Sequence, residues 1–509
     1  MTAIAPGSRS SPSVAHGVRW SGIAVIARQL VQVLSAVLIA RIIGPSSYGI
    51  ISAAMIYVTL TSLVLDQGLS AALIQRKELS AKAPGAVATV NILLAMVIAG
   101  VTWVAAPLLA TFFSTPDLVP VFQVLAALLP LKAFAIVPRA MLSRTQLFKG
   151  IALGDVAGGI AGAATGVAAA LLGADFFSLI YQVGVTDAIV AVMLLVFARG
   201  PVPNLAFSQV RDLMSFSVKV FFTNCIAYFS RNVDNILVGR VLGVTSLALY
   251  GMAYRVLSLP VQFIGQTVNR VLFPVFSRSV DNRPKVAAQL TSATETLALA
   301  VVPLMVFISC AAPELVHVVL GPEWLPAAAL MSAFALGGAR ETIFYITPAL
   351  MKAFGRTTLL LNYEFLATGL QVAAIIVGLQ FGVFGVALGY TAAGFLLVPV
   401  LLAIQANITG VRVGAQLRAM LPAVHASIWG AAGYLAVGLL DLPYVLHLVL
   451  GLGAYLVLVA AVLLLVHRRF TIRFVGRAAE IIGARRQAPT GSPTPAASSS
   501  TPVTEKAEL

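Results

Sequence analysis

The apolar stretch around residue 230 carries side chains that such stretches ordinarily exclude. Arg231, Asn232, Asp234 and Asn235 follow one another closely, and Asn224, Tyr228, Arg231 and Asn235 fall at i, i+4, i+7 and i+11. On a helix that spacing places them on one face. Arg255, Gln262, Gln266 and Arg270 repeat the arrangement at i, i+7, i+11 and i+15. A guanidinium within a membrane helix costs about 3 kcal/mol or more unless it faces protein or a water-filled cavity. The guanidinium also grips phosphate oxygens bidentately, so Arg28, Arg231, Arg255 and Arg270 are candidate ligands for a phosphate-bearing substrate. Polar stripes upstream match them: Arg28, Gln32 and Ser35 on one segment, Thr59, Ser62, Asp66 and Ser70 on the next, and the adjacent pair Arg340-Glu341 further along. The candidate binding residues are therefore Arg28, Gln32, Asn224, Arg231, Arg255, Gln266, Arg270 and Arg340.

The elements that must hold these residues are membrane helices. The 509 residues are 59% apolar and only 10% charged, against about 25% charged in a soluble domain. Apolar runs long enough to cross about 30 Å of hydrocarbon recur from Val18 to Val466. Periodicity and breakers predict about fourteen transmembrane helices, at 18–43, 47–74, 85–112, 118–141, 150–173, 177–198, 211–241, 246–275, 286–310, 325–352, 357–380, 383–407, 416–440 and 444–466. The expected class is an all-α integral membrane protein. Residues 1–17 and the Ser/Thr/Pro/Ala-rich end of the 471–509 tail read as disordered.

Orientation follows from the loops. With the N-terminus cytoplasmic, nearly all loop Lys and Arg fall on the cytoplasmic side, including the basic run Arg468, Arg469, Arg473 and Arg477. The opposite side keeps only Arg41 and Arg240. This predicts both termini in the cytoplasm. The net charge of +15 is then a topology signal with anionic-lipid contact, and nucleic acid is excluded as a partner. The scattered histidines lack ligand spacing, Cys225 and Cys310 suggest no disulfide framework, and no metal or cofactor is expected.

The chain also echoes itself. Arg41-Ile-Ile-Gly44 and Arg240-Val-Leu-Gly243 lie 199 residues apart, with Tyr48-Gly49 and Tyr250-Gly251 following. Six helices separate the copies, so both point the same way, as in a repeat about the membrane normal. The expected organisation is two pseudo-symmetric six-helix lobes, 18–205 and 206–410, around a central cavity, then a helix pair at 411–470. Structural pairing is the competing reading of the intramembrane charges. Asp66, Asp155, Asp187, Asp234, Glu295, Glu341 and Glu364 suffice to pair Arg28, Lys132, Lys219, Arg231, Arg255, Arg270 and Arg340. Arg340 and Glu341 point about 100° apart on a helix and are expected to be poor partners for each other. The glycines of Asp155 to Gly166 read as small-residue helix packing, not as a phosphate loop.

Two groups of residues resemble a known family. Trp20, Arg28-Gln29, Gln32, Ala40-Arg41, Gly44-Pro45, Tyr48-Gly49 and then Asp66-Gln67-Gly68 form the first. Asn232, Asp234, Gly239-Arg240, Leu242-Gly243, Tyr250, Arg270 and Phe273-Pro274 form the second. Together they resemble the polysaccharide-repeat flippases of the multidrug/oligosaccharidyl-lipid/polysaccharide exporter superfamily. The resemblance implies a bacterial inner-membrane protein that moves an undecaprenyl-pyrophosphate-linked oligosaccharide outward by alternating access, for exopolysaccharide, O-antigen or capsule-type synthesis. It implies a cationic cavity to which Arg28, Asp66, Arg231, Asp234, Arg255 and Arg270 belong by position, and a lipid-tail groove at the last helix pair. A proton or sodium ion is the implied coupling ion, with Asp66, Asp234 and Glu341 as its candidate sites; polymerase or export machinery are possible partners. A small-molecule exporter of the same superfamily and a membrane polysaccharide polymerase are the alternatives. The polymerase reading would rest on the connection from Cys310 to Trp324, which offers Glu314, His317 and Glu323.

Overall fold

The computed structural model describes residues 14–66, 68–76, 78–198, 202–474 and 476, and these residues form helices without a strand. In chain order the helices are α1 (Val14–Asp66), α2 (Leu69–Gln75), α3 (Ala83–Phe112), α4 (Leu118–Arg144), α5 (Phe148–Leu171), α6 (Phe177–Phe197), α7 (Phe207–Leu242) and α8 (Val244–Ser277). They continue as α9 (Arg283–Cys310), α10 (Ala312–Val319), α11 (Pro326–Phe344), α12 (Ile346–Ala353), α13 (Thr357–Leu379), α14 (Gly382–Leu396), α15 (Val398–Thr409), α16 (Val413–Gly438) and α17 (Tyr444–Ala461). Ten helices among the described residues are long and apolar enough to cross a membrane. α7 and α8 run to 36 and 34 residues, and α7 carries the apolar stretch Val220–Phe229.

Several expected spans are broken. Within α1 the backbone turns at Gly44 (φ 75°, ψ 173°), with Pro45 opening the second rod, a pairing that stops one helix and preorganises the next. The second rod ends at Asp66, and Gly68 (φ 71°) starts the short α2. Arg144 ties α2 down by donating to the carbonyls of Leu73, Ile74 and Arg76. Breaks also separate α11 from α12 and α14 from α15, the latter just before Pro399. The connection from Cys310 to Trp324 is not a loop but α10 and a 3-10 turn.

Packing joins α1 to α5, α7 and α8; α3 to α4; α5 to α6; α8 and α9 to α11; α13 to α14; and α16 to both α9 and α17. Small residues let α5 and α6 approach closely. A Cβ at Gly158 or Gly162 would run into the Thr186 and Gln182 backbone of α6, the behaviour of close-packed membrane helices. Large apolar side chains such as Val104 and Leu172, 82% and 88% exposed, face outward where lipid is the solvent.

The end of the bundle at Gly44 and Gly243 is tightly closed. Gly243 joins α7 to α8 with φ 85° and ψ 168°, nearly the conformation of Gly44, 199 positions earlier. A Cβ on Gly49 would overlap the carbonyl oxygen of Val244. The ring N–H of fully buried Trp324 donates to the Ala40 carbonyl at 2.9 Å, and the indole meets Tyr48 edge-on at 5.6 Å. The guanidinium of Arg41 donates to the carbonyls of Val318 and Val319, at a helix end whose dipole favours a cation. The counterparts behave alike: Phe113 packs on Gly239, and Arg240 lies 5.4 Å from the centre of the Phe112 ring, with Ser114 Oγ at 3.5 Å. Arg41 thus engages the end of α10, and Arg240 the end of α3 and the turn that follows it.

Candidate functional site

A cavity of about 640 Å³ lies between α1, α4, α6, α7 and α8. Both rods of α1 contribute, through Gln29 and Gln32 on the first and Ser52 and Thr59 on the second. From α7 come Tyr228, Asn232 and Asn235, and from α8 Arg255, Ser258 and Gln262. Lys132 of α4 and Gln182, Thr186 and Asp187 of α6 complete the polar wall. Six amide side chains therefore share one chamber with two cations and one carboxylate. Amides both donate and accept, as sugar hydroxyls do, while the cations suit an anion.

Local folding positions these groups. Gln182 sits where Gly166 leaves room against α5, and its Nε2 donates to Ser35 Oγ at 3.2 Å, which donates to the Gln32 carbonyl at 3.1 Å. One turn on, Thr186 donates to the Gln182 carbonyl at 2.7 Å. Tyr228 fastens α7 to the second rod of α1 through a 2.8 Å bond from its hydroxyl to the Ile56 carbonyl. Lys132 and Arg139 act electrostatically on Asp187, although Arg139 is held by Asp155 at 3.1 and 2.5 Å. Lys132 on α4 and Asp187 on α6 share one wall, and Arg255 is the cation that α8 contributes among the described lining residues.

Of the expected binding residues, Gln32 and Arg255 line the chamber. The side chains of Arg28, Arg231, Gln266 and Arg270 lie outside the described residues. Two others stand elsewhere. Asn224 is exposed and is not part of the wall, which on α7 begins one turn later at Tyr228. Arg340 is 7% exposed and sits in the α11–α14 interface, its guanidinium against Gly394, where any Cβ would collide with it. Its approach to Glu341 is only 3.9 Å, Nη2 to Oε2, and Nε and Nη2 have no hydrogen-bond partner among the described residues, as expected of poor partners. Both side chains are long enough to bend toward the face of α14 that carries Tyr390 and Gly394.

The carboxylates expected to hold an ion stand outside the chamber wall. Asp66 closes α1, and its Oδ1 has no hydrogen-bond partner among the described residues. Asp234 accepts from Tyr250 at 2.9 Å, and Tyr250 stacks on Tyr254. Tyr254 meets Tyr390 hydroxyl to hydroxyl at 3.5 Å, and Tyr390 donates to Glu341 at 3.4 Å. Sequence reading missed Gln182, Thr186, Asp187 and Lys132 as wall residues. The signal was present in the spacing of Gln182, Thr186 and Asp187, one polar face on an otherwise apolar helix. An apolar groove of about 740 Å³ runs between α13 and α14, while the last helix pair packs α16 onto α9 and α17 onto α16.

The residues of the Cys310–Trp324 connection are engaged in packing. Glu314 Oε1 meets His447 Nδ1 at 2.9 Å, the His317 ring stacks on Tyr444 at 3.9 Å, and Glu323 lies against Gly44.

Comparison with known proteins adds four findings. The model of a family described as "Polysaccharide biosynthesis protein" matches residues 38–329. The chain is 24% identical over 383 residues to the lipopolysaccharide biosynthesis protein WzxC of Escherichia coli (strain K12), covering 74% of this chain and 77% of that one. It is 23% identical over 354 residues to the teichuronic acid biosynthesis protein TuaB of Bacillus subtilis (strain 168), covering 69% and 73%. Among solved structures, the lipid II flippase MurJ in an inward closed conformation superposes with a TM-score of 0.66 at 15% identity, over 87% of this chain and 98% of that one. At that identity the likeness is one of fold.

Proposed function

This chain belongs to the polysaccharide biosynthesis protein family, and we propose that it is a flippase that carries a lipid-linked oligosaccharide across the bacterial cytoplasmic membrane. The observation that carries the reading is the chamber itself: six amides, two cations and one carboxylate enclosed by helices of an apolar bundle. Polar side chains within a membrane bundle are costly unless they face protein, water or a ligand. The chamber's composition suits a sugar linked to phosphate, with the prenyl tail remaining in lipid. The names of WzxC, TuaB and MurJ concern polysaccharide assembly or a lipid-linked precursor, which favours a saccharide cargo over a small-molecule drug. The reaction is translocation without bond chemistry, and the engagement of Glu314, His317 and Glu323 in packing supports that over a polymerase.

Alternating access between two lobes, 18–205 and 206–410, fits the matching glycine joints and the reciprocal contacts of Arg41 and Arg240. In this reading fourteen spans cross the membrane and the Gly44–Gly243 end faces outward, closed. Asp234 and Glu341, joined through Tyr250, Tyr254 and Tyr390, offer sites for a coupling proton or sodium ion. The test is made in the native host. Deleting the protein should leave lipid-linked repeat units intact but inaccessible to an external lectin. The wild-type chain should restore their exposure, and Arg255→Ala, inserted at normal levels, should not. Repeat units already exposed in the deletion strain would overturn the flippase reading.

A further inference from the structure

A second concavity, of about 630 Å³, shares no lining residue with the chamber and lies between the N-terminal halves of α9 and α16 and the chain that follows α17. α17 runs into a π turn, Val462–Val466, a wide turn that recurs at functional sites in helices. The His467 N–H donates to the Val462 carbonyl at 3.1 Å, and Thr471 Oγ1 reaches back to the Leu463 carbonyl at 2.7 Å. The chain then folds against α16 with Phe470 buried, bringing Arg468, Arg469 and Arg473 beside Arg418. Four guanidinium groups share this wall with one carboxylate, Glu295. The ring of His467, hydrogen-bonded to His425 at 3.0 Å, is pushed below the ordinary histidine range by burial and by His425; the arginines carry the positive field.

Placement identifies what fits here. The three contributing helices, Arg283–Cys310, Val413–Gly438 and Tyr444–Val466, are each long and apolar enough to cross a membrane, and the cavity lies where they end. Ends of membrane-spanning helices fall near the lipid headgroups, where these arginines would then lie, while Val466 and Pro422 supply an apolar lip. A basic fringe that only sets topology needs charge but no concavity. A concave wall lets several guanidinium forks converge on one phosphate group. We propose that this pocket binds the phosphate headgroup of a membrane lipid, at a site separate from the translocation chamber.

Two lipids carry that chemistry, a bulk anionic phospholipid and the polyprenyl pyrophosphate carrier, and the test separates them. The purified full-length protein is titrated in native mass spectrometry with phosphatidylglycerol, farnesyl pyrophosphate and, as zwitterionic control, phosphatidylcholine. Wild type should retain one or both anionic lipids over phosphatidylcholine. Arg418→Ala, Arg468→Ala and Arg469→Ala combined should weaken that retention on the order of 100-fold, from about fivefold per arginine near a membrane surface. Lysine at the same three positions should restore part of it, which separates lost charge from lost folding. Stronger retention of farnesyl pyrophosphate points to the carrier, and stronger retention of phosphatidylglycerol to bulk lipid; either upholds the site. Phosphatidylglycerol carries no saccharide for the chamber, so loss of its retention in the triple variant reads this pocket alone, and failure of the transport reading does not touch this one. Undiminished retention in the alanine variant, equal retention of phosphatidylcholine, or displacement by inorganic pyrophosphate as readily as by lipid would overturn the proposal.

Discussion

Arg255 is the described cation best placed to meet a phosphate, because Lys132 stands with Asp187 on the chamber wall while α8 offers Arg255 no carboxylate there. A charge-assisted hydrogen bond contributes about 1.5–3 kcal/mol. Arg255→Ala should therefore weaken binding of a lipid-linked saccharide about 10- to 100-fold in a purified-protein titration, with Arg255→Lys between the two. Gln182→Ala removes the link to Ser35 and one sugar-facing amide, and should cost less, about 10-fold. Sequence alone points to Gln32 and Arg255 because each sits on a polar stripe of an apolar helix. It does not place Arg340, since an arginine packed against Gly394 and one on the chamber wall look the same until the neighbouring helix is known. Lys132 escapes notice for the opposite reason: it is a lone polar residue on its own turn, and only the packing of α4 and α6 brings it to the wall that Gln182, Thr186 and Asp187 share.

At the scale of elements, the glycine joints carry the most specific expectations. Gly44 and Gly243 occupy a backbone region essentially closed to other residues, where a side chain costs of order 1–3 kcal/mol. Space is open at Gly243, whereas a Cβ at Gly44 would meet Glu323. Thermal unfolding of the purified protein should therefore show Gly44→Ala losing more stability than Gly243→Ala. Similar losses would mean that Glu323 yields freely. Gly49→Ala should push the second rod of α1 off Val244 and loosen the closed end, measurable as faster hydrogen exchange around Tyr48 and Leu247. Breakers such as Gly44-Pro45 made these joints readable from sequence. The gaps between α1 and α2, between α11 and α12, and before the π turn were not, because a locally helical sequence gives no sign of where tertiary packing interrupts it. The folding of Cys310–Trp324 into α10 was hidden for the same reason, its apolar face being explained only by α11 and α17.

For the whole molecule, the all-helical membrane class follows from composition and run length, and the family from dispersed residue patterns that hold across 38–329. The distribution of Lys and Arg predicts that the Gly44–Gly243 end faces outward. In a background lacking Cys225 and Cys310, Asp117→Cys should react with an impermeant maleimide in intact cells, and Asp281→Cys only after permeabilisation. The reverse pattern would invert the topology and with it the direction of transport. The chamber's volume and amide content were not legible in the chain, since five helices from distant parts of the sequence build it. The central claim is that this chamber conducts a lipid-linked saccharide between leaflets, and reconstitution tests it most directly. In proteoliposomes loaded with the host's lipid-linked repeat unit, an impermeant oxidant reaches only the outer leaflet. Wild type should let oxidation proceed from about half of the lipid toward completion, and Arg255→Ala should hold it at the protein-free level. Equal oxidation with and without the wild-type protein would contradict the account.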